Sequence, residues 1–583
     1  MNKKLNVNFT FIMFVLYILF IFISDIFCFL LNKNFSIFAY LLSGFICLLV
    51  IVFSRKKIKI TFNFSKYDVF FMVFLFIIVK ARVVIPDSSF DTLNYHLYIQ
   101  ERLFSNNVSY NFFPGRWINT FSFPLGDRLH YLVRIVLGYR LGNILNVYCV
   151  IAVYYQIKIL LSKVIKNDLL IVFLASLVLI TEQILMNMIT YYVDLLSIPL
   201  FLGIIIILVE NKKVDNYINW FVLLLSGIVV SLKVSNAFLL IPLAVLYLYK
   251  YRKNMNIYTF VIGIPIFVLP FCIYIINNYI QTGNPVFPFY NSIFKSPYLP
   301  SENWTESFYG PKTFLERLFW PVYIYYYPRR SFDTDFYYGR ISYGYIISII
   351  CLISFFIKNG FDFKKIKFDL LEKMSLLNIV YCLLWSNFMM GYIRYALILE
   401  IISGIVTLLF VYKYLRNKNV ILFIFCIFGV VGVFNSTYNS IGNILKDATE
   451  LSWRYPKELD DATYLNNKHL LLNRKRSYDE FLKNVDCFGI VDYNSGYAAM
   501  MSDDMKILNL NEGYNNDYGK KEFEKVYASC KNVYTISTSP TLSRTEDYLV
   551  KSGYKRVGDN LVIKSEFVNN NYDLIIFEIE KES

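Results

Sequence analysis

Within six positions the sequence places a carboxylate (Asp91), a phenol (Tyr95) and an imidazole (His96), in the string Pro86-Asp87-Ser88-Ser89-Phe90-Asp91-Thr92-Leu93-Asn94-Tyr95-His96-Leu97 that follows an apolar run. These are side chains that move protons or hold hydroxyl groups. Read as a loop entering a helix, the string puts Asp91 at the helix start and Tyr95 one turn on, over the same face. A carboxylate there equally suits a helix cap, accepting a backbone N–H bond worth about 1 kcal/mol. Spacing alone leaves both readings open.

The elements that must position these residues are membrane helices. The chain of 583 residues is 56% hydrophobic and 17% charged, against roughly 45–50% and 25% in soluble globular proteins. Runs such as FTFIMFVLYILFIF, VFFMVFLFIIV and FLGIIIILV carry no charge to meet water, so lipid is the solvent for most of the chain. Soluble enzymes and nucleic-acid binders are excluded. The +15 net charge falls in short clusters between apolar runs, the pattern that orients a membrane protein.

Runs long enough to cross a bilayer number about thirteen. They begin near residues 9, 35, 67, 141, 168, 191, 217, 235, 256, 341, 375, 396 and 420. The basic linkers Lys3-Lys4, Arg55 to Lys57, Lys163 to Lys166, Lys212-Lys213, Lys250 to Lys253, Lys358 to Lys373 and Lys413 to Lys418 fall on alternate sides of those runs. They are therefore expected in the cytoplasm. The long connections 86–140 and 279–340 and the polar tail 438–583 then lie outside. The fold expected is mainly α: a polytopic helical bundle over 1–437, followed by a small extracytoplasmic α/β domain over 438–583, whose short β-rich runs alternate with helical polar stretches. The first apolar run is too long for a cleaved signal and reads as an anchor. Cys487 and Cys530 both fall in the external tail, where an oxidising exterior lets them pair.

Other residues that carry chemistry sit near the outer ends of spans. Asp194 closes the string Tyr191-Tyr192-Val193-Asp194, Lys233 falls between two closely spaced apolar runs, and Arg394 lies in Gly391-Tyr392-Ile393-Arg394-Tyr395. The outer connections add Arg116, Arg329, Arg330 and Arg340. Arg394 also reads as a snorkelling arginine that orients its helix, and Asp194 as a partner for one of the outer cations. Glu400 lies deeper, off the face of Arg394, and reads as an interhelical hydrogen-bonding group. The aromatics Trp304, Phe308, Tyr309, Trp320 and Tyr323 to Tyr327 suit either sugar stacking or an interfacial belt. With three scattered histidines, no phosphate-cradling glycine loop, and Asp333-Thr334-Asp335 as the lone D-x-D string considered, neither a metal nor another cofactor is expected.

The string FDTLNYHL resembles the Asp-containing first-loop motif of bacterial membrane glycosyltransferases of the GT-C superfamily, which holds the polyprenyl-phosphate-sugar-dependent transferases and the protein mannosyltransferase-like family. Three further stretches follow in order: Tyr191 to Asp194; Asn278-Tyr279-Ile280-Gln281-Thr282-Gly283-Asn284-Pro285-Val286-Phe287-Pro288, similar to an N-Y-x-x-T-G-N-P string; and Gly391 to Tyr395, similar to the R-Y that opens a late span. The resemblance covers roughly residues 80–400; Asn277 stands where an arginine is expected, and two spans precede the usual first one. It implies transfer of a sugar from a polyprenyl-phosphate carrier to a surface glycan or glycolipid at the outer face of the plasma membrane, with inversion. In that reaction Asp91 takes the acceptor proton. Arg394, Lys233, Arg329 and Arg330 hold the donor phosphate, and Tyr95, His96, Asp194 and Arg116 contact substrate. The bilayer, the lipid-linked donor and the acceptor are the partners; nucleic acid is not. A polymerase of surface polysaccharide of the O-antigen type, a flippase for lipid-linked saccharide, and a glycan-binding scaffold remain as alternatives.

Overall fold

The computed structural model describes residues 5–31, 33, 36–84, 87, 89, 91–102, 123–211, 213–303, 308–332, 339–359, 368–414, 485–491, 505–510, 517–538, 541–563 and 574–582. The chain opens with strand β1 (Leu5–Asn8), runs through helices α1 (Phe9–Leu30) and α2 (Ile37–Ser54), and returns as β2 (Ile58–Thr61). β2 pairs in parallel with β1, Leu5 opposite Ile58. Helix α3 (Asp68–Val84) leads to a turn at Thr92–His96 and α4 (Leu97–Arg102). Then come α5 (Leu125–Leu141), α6 (Ile144–Leu161), α7 (Asp168–Leu179), α8 (Glu182–Met188), α9 (Ile198–Glu210), α10 (Asn216–Leu232), α11 (Asn236–Tyr251) and α12 (Ile257–Thr282). After α13 (Asn291–Phe294) and α14 (Phe314–Tyr323), helices α15 (Gly339–Asn359), α16 (Leu370–Phe388) and α17 (Leu397–Tyr414) complete the helical part.

Polar residues punctuate these apolar helices. Asn8, Asn167, Thr181, Asp215, Asn256 and Asp369 each accept a backbone N–H of the helix they precede, which satisfies donors that lipid cannot. Six helices among the described residues are long and apolar enough to cross a membrane: Phe9–Leu30, Ile37–Ser54, Ile144–Leu161, Ile257–Thr282, Gly339–Asn359 and Ile393–Tyr414. The protein is thus a multi-pass membrane protein. This count differs from the thirteen expected. A helix begins within seven residues of each of the first twelve expected starts, but α7 has 12 residues, α9 13 and α11 16. Polar turns at Ile180–Thr181, Asp194–Ser197 and Lys233–Ser235 interrupt the apolar runs and shorten these helices. The expected run near 420 lies outside the described residues.

The helices share a polarity of charge. Lys57 meets Asp215 at 3.0 Å and Lys163 meets Glu210 at 2.6 Å, while Ser65 Oγ donates to Asp168 at 2.5 Å. These contacts gather the linkers 55–57 and 163–167 and residues 213–215 at one end. Asp194, Lys233 and Arg394 stand at the opposite ends of α9, α10 and α17. Buried ion pairs also stitch the bundle. Lys158 on α6 meets Asp68 on α3 at 2.6 Å, with Tyr154 donating to the same carboxylate oxygen at 2.6 Å. Asp25 on α1 meets Arg128 on α5 at 3.1 Å and accepts from Tyr274 on α12 at 3.0 Å. Close approach of α10 and α12 requires Gly227, where a Cβ would stand 2.1 Å from Phe267 O.

The tail forms a small mixed sheet from β3 (Cys487–Ile490), β4 (Lys506–Asn509), β5 (Val533–Thr538), β6 (Tyr554–Ile563) and β7 (Leu574–Lys581), in the order β4-β3-β5-β7-β6. Strands β3, β4 and β5 run parallel, and β7 is antiparallel to β5 and β6. Helices α18 (Asp517–Ala528) and α19 (Leu542–Lys551) lie between the strands in sequence. Cys487 and Cys530 are disulfide-bonded, fastening β3 to the turn after α18. Residues 415–484, which hold the expected domain boundary, lie outside the described part.

Asp68 is fully buried, with Lys158 beside it at 7% side-chain exposure. Removing the cation alone, as in Lys158→Met, strands a buried carboxylate and is expected to destabilise the fold by about 3–5 kcal/mol. Thermal melting of the detergent-solubilised protein should show a lowered transition, and the double variant Asp68→Asn/Lys158→Met should recover part of it.

Candidate active site

The segment predicted to carry the chemistry does not begin as an ordinary helix. Thr92–His96 form a π-turn in which Leu97 N–H donates to Thr92 O, five residues back. Asp91, at its start, makes no capping bond. The carboxylate turns away from the helix end: its Oδ2 accepts from Arg394 Nη1, and the Tyr95 side chain hydrogen-bonds to it as well. In an α-helical turn His96 would point well away from Asp91. The extra residue in the π-turn brings both Tyr95 and His96 towards the Asp91 face, and their rings lie 4.3 Å apart.

Three separated segments are tied to this turn. Asp87 Oδ2 accepts from Tyr191 N–H at 2.7 Å and from the Thr92 hydroxyl at 2.6 Å, clasping the start of the π-turn to the 190–193 turn. That second turn is itself held by Asn146 on α6, whose side-chain amide donates to the carbonyls of Asn187, Thr190 and Tyr192, each at 2.9 Å. Asp194 follows directly. Its Oδ1 accepts from Lys233 Nζ at 2.6 Å, and its Oδ2 lies 3.4 Å from Arg394 Nε. The result is a row of alternating charge, Asp91–Arg394–Asp194–Lys233, with side-chain exposures of 17%, 11%, 8% and 22%. Aromatic faces close it: Arg394 lies 4.8 Å from the Tyr192 ring and Lys233 3.9 Å from the Tyr395 ring, contacts that suit cations shielded from water. Burial would raise the Asp91 carboxyl, but Arg394 beside it outweighs burial and holds it below the ordinary carboxylate value.

Beside this row His96 Nδ1 lies 2.9 Å from Asp127 Oδ1, and Gln100 donates to that oxygen at 3.4 Å. His96 and Asp127 are both buried.

Arg394 sits in a turn braced from the aromatic loop and from α16. Trp320 Nε1 donates to Gly391 O at 3.0 Å, Trp385 Nε1 donates to Tyr392 O at 2.8 Å, and Ile393 N–H donates to Ser331 O at 2.9 Å. The rings of Tyr309 and Phe332 pack on Tyr392 at 4.9 and 5.4 Å. Tyr309, Trp320 and Phe332 of this loop therefore act as scaffold for the Arg394 turn. Gly391 is required by that bracing: its φ is +56°, and a Cβ would stand 2.1 Å from Trp320 Nε1.

Of the residues singled out in the sequence, Asp91, Tyr95, Asp194, Lys233 and Arg394 are brought together, with His96 on the adjoining dyad. Arg330 is engaged elsewhere: it donates to Glu316 Oε2 at 2.5 Å and to Gly310 O at 2.7 Å, and stacks 5.2 Å from Trp320. Arg329 is exposed in the same Pro328–Arg330 turn. Glu400 faces the Thr181 side chain and Arg340, an interhelical contact. Arg116, Trp304, Asp333 and Asp335 lie outside the described residues. Sequence reasoning missed Asp87, Asp127 and Asn146. The signal for Asp127 was available in LGDRLHYLV, where two adjacent charges enter an apolar stretch and need partners.

No family model matches the sequence, and no curated protein matches it. The chain is similar to the crystal structure of ArnT from Cupriavidus metallidurans bound to undecaprenyl phosphate. The match has a TM-score of 0.49 and 9% sequence identity, and covers 88% of this chain and 97% of that chain.

Because Gly391 is held at positive φ against Trp320, Gly391→Ala is expected to cost about 1–3 kcal/mol. Thermal melting of the purified variant should register that loss, while alanine at Gly138, which has open space around it, should meet backbone strain but no clash and melt closer to the parent.

Proposed function

We propose that the chain is an integral-membrane glycosyltransferase of the GT-C type, moving a sugar from a polyprenyl-phosphate donor to a hydroxyl of a surface glycan or glycolipid at the outer face of the plasma membrane. The observation that carries this reading is the shielded row Asp91–Arg394–Asp194–Lys233, at the helix ends opposite the basic linkers. A sugar on a polyprenyl phosphate has its reacting carbon anchored at the lipid–water boundary, and its phosphate needs cations held at that level. Arg394 and Lys233 supply them, already desolvated and resting on carboxylates that the phosphate replaces as partner. The guanidinium fork of Arg394 suits two phosphate oxygens at once.

With Arg394 drawn to the phosphate, Asp91 is released to accept the proton of the acceptor hydroxyl. The hydroxyl oxygen attacks the anomeric carbon from the face opposite the phosphate, the carbon–oxygen bond to phosphate breaks, and the electron pair leaves with the lipid phosphate, inverting the centre. Tyr95, His96 and Asp194 line the place where the two substrates meet; Arg116 and Arg329 extend the substrate and phosphate contacts. In this reading about thirteen spans cross the membrane, the N-terminus is cytoplasmic, and the tail 438–583 lies outside beside the site. The steps assigned to these side chains call on no metal.

Mass spectrometry of surface glycans and lipid-linked intermediates, from a deletion strain carrying the parent chain or a variant, tests the reading. Asp91→Asn is expected to lower product formation by about 10²-fold or more, leaving the same missing sugar and stalled intermediate as the deletion. Arg394→Lys keeps the charge but loses the fork, and is expected to lower product less than Asp91→Asn does. Parent-level product from Asp91→Asn in correctly inserted protein would sink the assignment. The missing mass separates transfer of one sugar from transfer of a whole repeat.

A further inference from the structure

The acceptor proton needs somewhere to go after Asp91. When the lipid phosphate leaves and Arg394 returns to Asp91, it again holds that carboxyl below its ordinary value, so Asp91 is then a poor resting place for a proton, and an imidazole is ordinarily the stronger base. The structure provides one. The π-turn carries His96 on the Asp91 side of the helix, its ring 4.3 Å from that of Tyr95, whose side chain hydrogen-bonds to Asp91. His96 Nδ1 is occupied by Asp127 Oδ1 at 2.9 Å, an oxygen to which Gln100 also donates.

A carboxylate on Nδ1 fixes the neutral ring with its proton there, leaving Nε2 as the basic nitrogen, and stabilises the imidazolium once Nε2 is protonated. Asp127 sits on α5, next to Arg128, whose pair with Asp25 anchors that helix to α1. The dyad is thus mounted on a fixed support. Among the described residues the charged and titratable groups around His96 include Asp91 and Tyr95 on its own turn, Tyr192 and Asp194 on the neighbouring turn, Asp127 and His130 on α5, and Arg394 beyond Asp91.

We propose that His96 is the second proton acceptor of the site, taking the acceptor proton on from Asp91, and that Asp127 is the positioning residue that sets the His96 tautomer for this task. The inference rests on the transferase reading. The hydroxyl proton passes to Asp91 as the new carbon–oxygen bond forms and the bond to phosphate breaks. It then moves to His96 Nε2, returning Asp91 to the carboxylate, and leaves from the imidazolium to water. The proton count closes on one proton released per sugar transferred.

The test has a spectroscopic arm and a rate arm. The chain holds three histidines, so the full-length protein labelled with ¹⁵N-histidine and placed in lipid nanodiscs gives few ring signals, and His96→Gln identifies the one from His96. Nitrogen NMR of the parent protein is expected to show neutral His96 carrying its proton on Nδ1. Asp127→Asn, whose amide can donate to that nitrogen, is expected to move the proton to Nε2, and Asp127→Glu to restore it. A proton on Nε2 in the parent overturns the proposal.

In cells, glycan product is followed over time after induction, with membrane levels of each variant matched. His96→Gln and Asp127→Asn are expected to slow product formation at least tenfold and to flatten its dependence on external pH, with partial rescue by Asp127→Glu. If both variants keep the parent rate while Asp91→Asn loses it, the relay is refuted and the transferase reading stands. If the deletion and Asp91→Asn leave every glycan and lipid-linked intermediate unchanged, the transferase reading falls and the relay falls with it.

Discussion

Two carboxylates and two cations, drawn from four separate stretches of chain, can be shielded from water in a membrane protein only by being placed against one another. A single ion in such surroundings is costly, and removing one member of a pair exposes the full cost of the other. The row Asp91–Arg394–Asp194–Lys233 meets this constraint by alternating signs. It sets where the π-turn, the 190–193 turn, the break between α10 and α11 and the start of α17 must stand. The rest of the helical part is arranged so that these four points converge.

The convergence explains features that otherwise look like defects in a membrane fold. Helices α7, α9 and α11 are short because the chain breaks at polar turns to bring Thr181, Asp194 and Lys233 into position. Backbone freed by such breaks must be satisfied within the protein. Asn146 does so with three carbonyls of the 187–192 segment, and Asp87 with the amide of Tyr191. Trp320 of the aromatic loop and Trp385 of α16 perform the same service at the other side of the row, where their indole N–H groups bind the carbonyls of Gly391 and Tyr392.

Charge also organises the opposite end. The pairs Lys57–Asp215 and Lys163–Glu210 are half-exposed, and pairs of that kind contribute little stability. Their value is geometric, since they gather linkers whose basic residues read as cytoplasmic. The buried pairs Lys158–Asp68 and Arg128–Asp25 are a different case, joining helices that lipid by itself has little tendency to hold together.

Much of the fold was legible because apolar runs and basic clusters are local properties of sequence. The starts of twelve helices, the β-rich character of the tail and the positions of Asp91, Asp194, Lys233 and Arg394 near helix ends follow from run length, polarity and motif order. The π-turn was not legible, since one extra residue in a turn has no compositional signature, and so His96 was placed beside Asp91 without its dyad. Arg330 stood beside Arg394 among the candidate phosphate contacts, and only the packed structure shows it committed to Glu316 and Gly310 O. Sequence by itself determined that this is a membrane protein of many helices and which residue types stand at their ends, because transfer into lipid depends on composition over about 20 residues. Tertiary structure alone decided which of those residues meet: Asp91 and Arg394 are 303 positions apart, and no local rule relates charges at that separation until the helices between them have packed.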